Sequence, residues 1–348
     1  MITPQPKSPG APQRFWQSVK ALAARLFRRE LAAGHFETGQ ASSSRGLLTT
    51  APLVPPVRDY LVYVPRGHSR LRRAPLVVLC HGCRETPEDI AALTRITERA
   101  DREGWLVLLP RQLEGANAFG CWNWFDPNTS RGNGEAAIVA AQIVAVRRQY
   151  RARRERVWVV GLSAGAALAA VLGLRHPRLV RGVLAHSGLA CGAASTPATA
   201  LTVMRHGPDN DVARIADDAR AAEGDTAEPV ALLVIQGDGD DVVAPINGVG
   251  LVDQFLRFNA HAAGRGGYRP AAALPPSDAM AHEAASAERH GARIDDWIAG
   301  GRVIVRHVTV EGLGHAWSGG DADHAFADPL GPDALELLAR FAADSRLT

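Results

Sequence analysis

Val157-Trp158-Val159-Val160-Gly161-Leu162-Ser163-Ala164-Gly165-Ala166-Ala167-Leu168-Ala169-Ala170-Val171-Leu172 passes from a β-branched run into a small, helix-prone one. At the junction, Gly161-Leu162-Ser163-Ala164-Gly165 fits the pattern G-x-S-x-G, a sharp strand-to-helix elbow that lifts a serine hydroxyl above a sheet to attack a carbonyl. Five letters alone are a weak signal in a chain with 34 glycines; their place between a strand and a helix makes them informative.

The flanking sequence predicts the sheet that such an elbow needs. Leu61–Val64, Leu76–Leu79, Leu106–Leu109, Val157–Val160, Val183-Leu184, Ala231–Ile235 and Val303–Val310 read as strands, and stretches near 87–103, 133–150, 164–175, 247–262 and 333–344 read as helices. Continuous apolar strands alternating with helices imply an α/β fold, with a mostly parallel sheet and helices on both faces. Residues 193–228 and 264–300, rich in Ala, Gly, Pro and charge, read as insertions or exposed loops.

A serine hydroxyl needs a nearby imidazole to take its proton and a carboxylate to orient that imidazole. On this kind of elbow the chain order is serine, acid, histidine, which excludes His81 and His186 as the base. His315 stands in Gly312-Leu313-Gly314-His315-Ala316-Trp317, a loop directly after the strand ending at Val310, and is the expected base; His324 is the runner-up and His307, within the strand, reads as structural. Leu232–Gly237 runs into Asp238-Gly239-Asp240-Asp241; Asp240 is the expected acid, with Asp238 and Asp241 as turn formers. The oxyanion needs two backbone donors. Ala164, after the nucleophile, is expected to supply one, and Cys83, with Arg84 second, the other; His81 is expected to brace their loop.

The chain has 348 residues, 46% hydrophobic and 22% charged, with a net charge of +3. That balance is too mild to imply a nucleic-acid partner. The sequence divides into an extension and linker over 1–50 and a catalytic domain over 51–348. Within the extension, Phe15, Val19, Leu22 and Leu26 recur at helical spacing beside Lys20, Arg25, Arg28 and Arg29. The stretch 14–32 is thus read as a basic amphipathic helix that packs on the domain or a partner subunit, or lies on a membrane or granule surface. The layout of a secretory signal is absent from the N-terminal stretch, which favours the cytoplasm as a compartment. Cys80-His81-Gly82-Cys83 hints at a metal or redox pair, but no second ligand pair has zinc-like spacing, so no metal or organic cofactor is expected.

Leu79-Cys80-His81-Gly82-Cys83-Arg84-Glu85-Thr86-Pro87, Cys121-Trp122-Asn123-Trp124-Phe125, Arg131-Gly132-Asn133-Gly134-Glu135, the Ser163 elbow, His186-Ser187-Gly188-Leu189 and Gly312–Gly320 together resemble the polyhydroxybutyrate depolymerase family of esterases, from about residue 60 to 343. The resemblance implies an α/β-hydrolase fold, a Ser163–Asp240–His315 triad and hydrolysis of carboxylic esters. The family extends to feruloyl and acetylxylan esterases, so it implies chemistry better than substrate. It also implies a Cys83–Cys121 disulfide, which would favour an oxidising compartment. A departure is Ala166, where the family commonly carries a further glycine. Trp317, Trp122 and Trp124 are candidates to wall an ester-binding cleft, against the plainer reading that they fill core. Short-chain or hydroxyalkanoate esters are the expected substrates, with feruloyl or acetylxylan esters as the alternative. An acyltransferase or peptidase with the same triad, and a surface-binding protein with an idle centre, are the competing readings.

Overall fold

The computed structural model describes residues 33–43, 57–224, 228–260, 269–270, 282–283 and 289–345. The amphipathic stretch 14–32 lies outside them. Eleven strands form one sheet: β1 (His35–Ser42), β2 (Val57–Val64), β3 (Leu76–Cys80), β4 (Leu106–Pro110), β5 (Val157–Leu162), β6 (Gly182–His186), β7 (Ala231–Gly237), β8 (Arg269–Pro270), β9 (His282–Glu283), β10 (Ala292–Ala299) and β11 (Arg302–Val310). Their order is β1-β2-β4-β3-β5-β6-β7-β11-β10-β8, with β9 also on β10. The six strands from β4 to β11 run parallel. β2 enters antiparallel to β4, and β10 leaves antiparallel to β11. A short parallel pair, β12 (Trp317–Ser318) and β13 (Ala327–Asp328), follows the base loop.

Side chains of the central strands alternate between two cores, as the two-residue period of a strand dictates. Leu76 and Val78 of β3 join Val139, Leu168 and Phe255 from the helices at 134–150, 164–175 and 246–258. Val77 and Leu79 join Ile90, Ile96, Leu335 and Phe341 from those at 87–94, 96–103 and 334–344. Both faces are therefore covered, and the central strands are buried end to end, which is why they read as unbroken apolar runs.

Four segments differ from the sequence expectation. The helical stretch near 87–103 is two helices, because Arg95 turns left-handed at φ 54, ending the first and starting the second. Residues 197–206 and 212–223 are helices rather than loops, capped by Thr196 in a reciprocal box with Thr199 and by Asp211. β10 falls inside 264–300, the other stretch read as loop. Its charges disguise it: Asp296 lies opposite Arg306 on β11 and forms two hydrogen bonds with it, both 2.7 Å. Finally, His35–Ser42, inside the stretch 1–50 read as extension and linker, pairs over its full length with β2 and forms an edge strand of the sheet.

Candidate active site

Parallel strands in register end together, so β3, β5, β6, β7 and β11 deliver their following loops to one edge. Leu162 is level with His186, His186 with Ile235, and Gly237 with Val310. Every triad candidate leaves a strand at this edge.

Ser163 takes φ 56 and ψ −119, a sparsely populated backbone setting for a residue with a side chain. Its N–H donates to the His186 carbonyl at 2.9 Å. The two glycines of the elbow are there for space. A Cβ on Gly161 would lie 2.2 Å from the Gly165 carbonyl carbon, and one on Gly165 would lie 2.2 Å from the Cys80 carbonyl oxygen. The serine thus stands at the head of the helix Ala164–Arg175, beside the loop that follows β3.

Of the three clustered aspartates, Asp240 faces His315. His315 Nδ1 lies 2.9 Å from Asp240 Oδ2 and 3.1 Å from Oδ1. The carboxylate also accepts from the Val242 and Val243 N–H groups at 3.0 and 2.8 Å and from Gln236 Nε2 at 3.2 Å. Burial opposes its charge. The His315 ring, the Val243 N–H and the Ser187 hydroxyl outweigh that penalty and hold the carboxyl below its ordinary value. Asp238 accepts from the Gly312 N–H at 2.6 Å, tying the acid turn to the base loop, while Asp241 is exposed. Among the described residues no hydrogen bond joins the Ser163 hydroxyl to the His315 ring, whose Nδ1 is turned to Asp240. Such catalytic bonds commonly tighten only in the substrate complex.

The loop after β3 separates the oxyanion candidates. Gly82 N–H donates to Glu85 Oε2 at 2.6 Å and Arg84 N–H to the Phe119 carbonyl at 2.8 Å. Cys83 N–H, between them, has no protein partner among the described residues, so Arg84 is the weaker candidate. Ala164 opens its helix, where the first N–H groups have no intrahelical acceptor. His81 is buried and braces this loop. Its Nε2 accepts from Gln112 N–H at 3.2 Å, which leaves the proton on Nδ1, 2.7 Å from the Gly82 carbonyl.

Cys83 and Cys121 form a disulfide, fastening that loop to the Trp122–Phe125 segment. With Cys83 so engaged and Cys80 fully buried, Cys80 and Cys83 do not form a metal or redox pair. The tryptophans correct the cleft-wall expectation. Trp317 has no exposed surface and stacks on His186, ring centroids 5.1 Å apart. Trp122 is buried and donates to the His81 carbonyl at 3.0 Å; Trp124 is buried against Phe125. Trp317 and Trp122 thus pack against His186 and the loop after β3, and Trp124 fills core. His307 lies within β11 as expected, and His324 sits in a turn with Asp321.

Some residues escaped the sequence reading. Glu135, at the start of the helix 134–150, is buried and binds Asn123 N–H, Asn123 Nδ2 and Gln112 Nε2, all within 2.8 Å. Glu85 pins Gly82, and burial pushes its carboxyl up to about 7. Both lie in stretches that carry the family resemblance, Glu85 in Leu79–Pro87 and Glu135 in Arg131–Glu135, but neither stretch by itself assigns them a role.

The profile of the esterase PHB depolymerase family matches residues 58–274. The chain is 31% identical over 199 residues to poly(3-hydroxyalkanoate) depolymerase C of Paucimonas lemoignei, covering 57% of this chain and 47% of that protein. It is 30% identical over 148 residues to feruloyl esterase B of Neurospora crassa, covering 41% and 48%. The alignments thus span about half the length of these relatives. In fold, it is similar to an acetyl xylan esterase from Aspergillus awamori, with a TM-score of 0.59 and 18% identity over 80% of this chain and 94% of that one. With a matched profile that runs from the second strand past Ser163 and Asp240, the chain belongs to the esterase PHB depolymerase family.

Proposed function

We propose that the protein hydrolyses carboxylic esters through an acyl-enzyme on Ser163. The observation that carries this reading is the His315 ring held by both oxygens of Asp240 at the same sheet edge as a serine on a strained elbow. With Nδ1 committed to the carboxylate, the imidazole has Nε2 free for the serine proton. As Ser163 Oγ bonds to the ester carbon, His315 takes that proton, and the carbonyl oxygen gains the negative charge. Ala164 and Cys83 N–H groups stabilise it. Collapse breaks the ester C–O bond, and the proton on His315 goes to the departing alcohol. Water, deprotonated by the same imidazole, then releases the acid.

The substrate reading is short-chain or 3-hydroxyalkanoate esters, including oligomers or polymer. The support is that the match to a poly(3-hydroxyalkanoate) depolymerase spans 199 residues, against 148 for the feruloyl esterase. Two assays test the proposal. Ser163→Ala should abolish hydrolysis of p-nitrophenyl butyrate; a variant with near-original rate rejects the mechanism. The intact protein should release 3-hydroxybutyrate from its oligomers and little ferulate from methyl ferulate; the reverse assigns a plant-ester substrate.

A further inference from the structure

Two consecutive peptide groups in the loop after β3 are gripped at every polar atom but one, and the exception is the Cys83 N–H. In the group joining His81 to Gly82, the carbonyl accepts from Trp122 Nε1 at 3.0 Å and the N–H donates to Glu85 Oε2 at 2.6 Å. In the group joining Gly82 to Cys83, the carbonyl lies 2.7 Å from His81 Nδ1. A planar trans peptide points its C=O and N–H in opposite directions, so whatever holds the Gly82 carbonyl also aims the Cys83 N–H.

The direction of the His81 bond follows from a fixed donor. The Gln112 N–H can only donate, so His81 Nε2, 3.2 Å away, is unprotonated, and the neutral ring carries its hydrogen on Nδ1, towards the Gly82 carbonyl. Burial pushes the imidazole below its ordinary value, which keeps the ring neutral and in this tautomer. Gln112 is itself fixed: its Nε2 donates to the Cys121 carbonyl at 2.8 Å and to the buried Glu135 at 2.7 Å. Glu85 Oε1 is buried with no hydrogen-bond partner among the described residues, so the side chain's bond is the one to Gly82.

This loop lies directly on the nucleophile elbow. A Cβ on Gly165 would meet the Cys80 and His81 carbonyl oxygens at 2.2 and 2.5 Å, and one on Gly82 would lie 3.6 Å from the Leu162 carbonyl oxygen. The backbone on either side of Ser163 therefore packs against the peptides that these bonds hold. A donor on the carbonyl end of a peptide also polarises it, which strengthens its N–H.

Resting on the serine-esterase reading, we propose that His81 and Glu85 are positioning residues of the oxyanion site. Glu85 fixes the peptide ahead of Gly82, and His81 turns the next one so that the Cys83 N–H faces the oxygen of the tetrahedral intermediate. A mis-aimed donor weakens binding of that intermediate and leaves binding of the ground-state ester alone.

The test uses replacements that separate the two ends of the His81 ring. His81→Asn sets an amide where Nδ1 stands and keeps a donor for the Gly82 carbonyl; His81→Gln reaches the Nε2 position and loses that donor. Glu85→Gln keeps an acceptor for the Gly82 N–H, and Glu85→Ala removes it. Each is compared with the parent in p-nitrophenyl butyrate hydrolysis and in inhibition by a trifluoromethyl alkyl ketone, whose adduct on the serine places a charged oxygen in the oxyanion site. Deleting an oxyanion donor costs about 10²–10³-fold, so His81→Gln and Glu85→Ala should lower kcat by about tenfold or more, with KM within about twofold, and weaken the ketone by the same factor. His81→Asn and Glu85→Gln should stay within about threefold of the parent in both assays. Glu85→Ala, at a half-buried position, decides the matter should His81→Gln fold poorly. Unchanged kcat in the donor- or acceptor-less variants, equal losses in His81→Asn and His81→Gln, or a loss carried by KM alone overturns the proposal. An inactive Ser163→Ala beside unaffected His81 and Glu85 variants would leave the esterase reading standing and reject only the positioning role; an active Ser163→Ala would reject the esterase reading itself.

Discussion

Ser163 is legible because the elbow imposes steric demands that few sequences meet. The Gly161 and Gly165 positions admit no Cβ, and the strand and helix on either side have opposite residue preferences. His315 is legible from its loop after β11. Asp240 is harder, since three carboxylates share one turn, and only the fold shows Asp238 turned to Gly312 N–H and Asp240 to the imidazole. The three tryptophans misled for a physical reason: proximity in sequence to a catalytic loop says nothing of which side of that loop a ring packs on. If Asp240 orients the base, Asp240→Asn should lower kcat by about 10³–10⁴-fold with little change in KM. A loss under tenfold, measured with p-nitrophenyl butyrate, would remove it from the triad.

The elements that the sequence disclosed are those buried on both faces, from β3 to β7 and β11, where apolar runs leave no alternative. Those it hid lie at the margins. β1 and β10 carry charge and half-exposed side chains because each lies outside the buried parallel strands, and the helices 197–206 and 212–223 bury little beyond Ala200, Val203, Ala216 and Ala219. The disulfide belongs to this scale, because it joins the loop after β3 to the segment before the helix 127–130. It closes a 38-residue separation, and on the chain-entropy model that closure contributes about 3–4 kcal/mol. A Cys83→Ser/Cys121→Ser double variant should lose about that much in urea unfolding and lower kcat by loosening the Cys83 donor. Full stability together with full kcat would show that the bridge neither supports the fold nor holds the loop.

Across the whole molecule, buried titratable groups make stability depend on pH. Burial pushes His186 down to about 3 and His307 down to about 4. Between those values and about 6.5 the unfolded chain binds protons that the folded one refuses, so stability rises with pH through that window. Glu85 works the other way: with its carboxyl pushed up to about 7, the folded chain protonates first and gains stability as pH falls towards the ordinary carboxyl range. Burial likewise pushes His68 and His81 down and Glu135 up, so four histidines against two glutamates leave a net loss on acidification. The urea midpoint should be lower at pH 5 than at pH 7, and His307→Gln should shrink the difference; equal midpoints would contradict the burial argument.

The most direct measurement of the central claim is covalent. A fluorophosphonate probe reacts with a serine only where a base has activated it and an oxyanion site receives the phosphoryl oxygen. Mass spectrometry of the labelled, digested protein should find one adduct, on Ser163, and none in the His315→Ala variant. An adduct on another residue, or full hydrolytic activity with Ser163 unlabelled by saturating probe, would contradict the account.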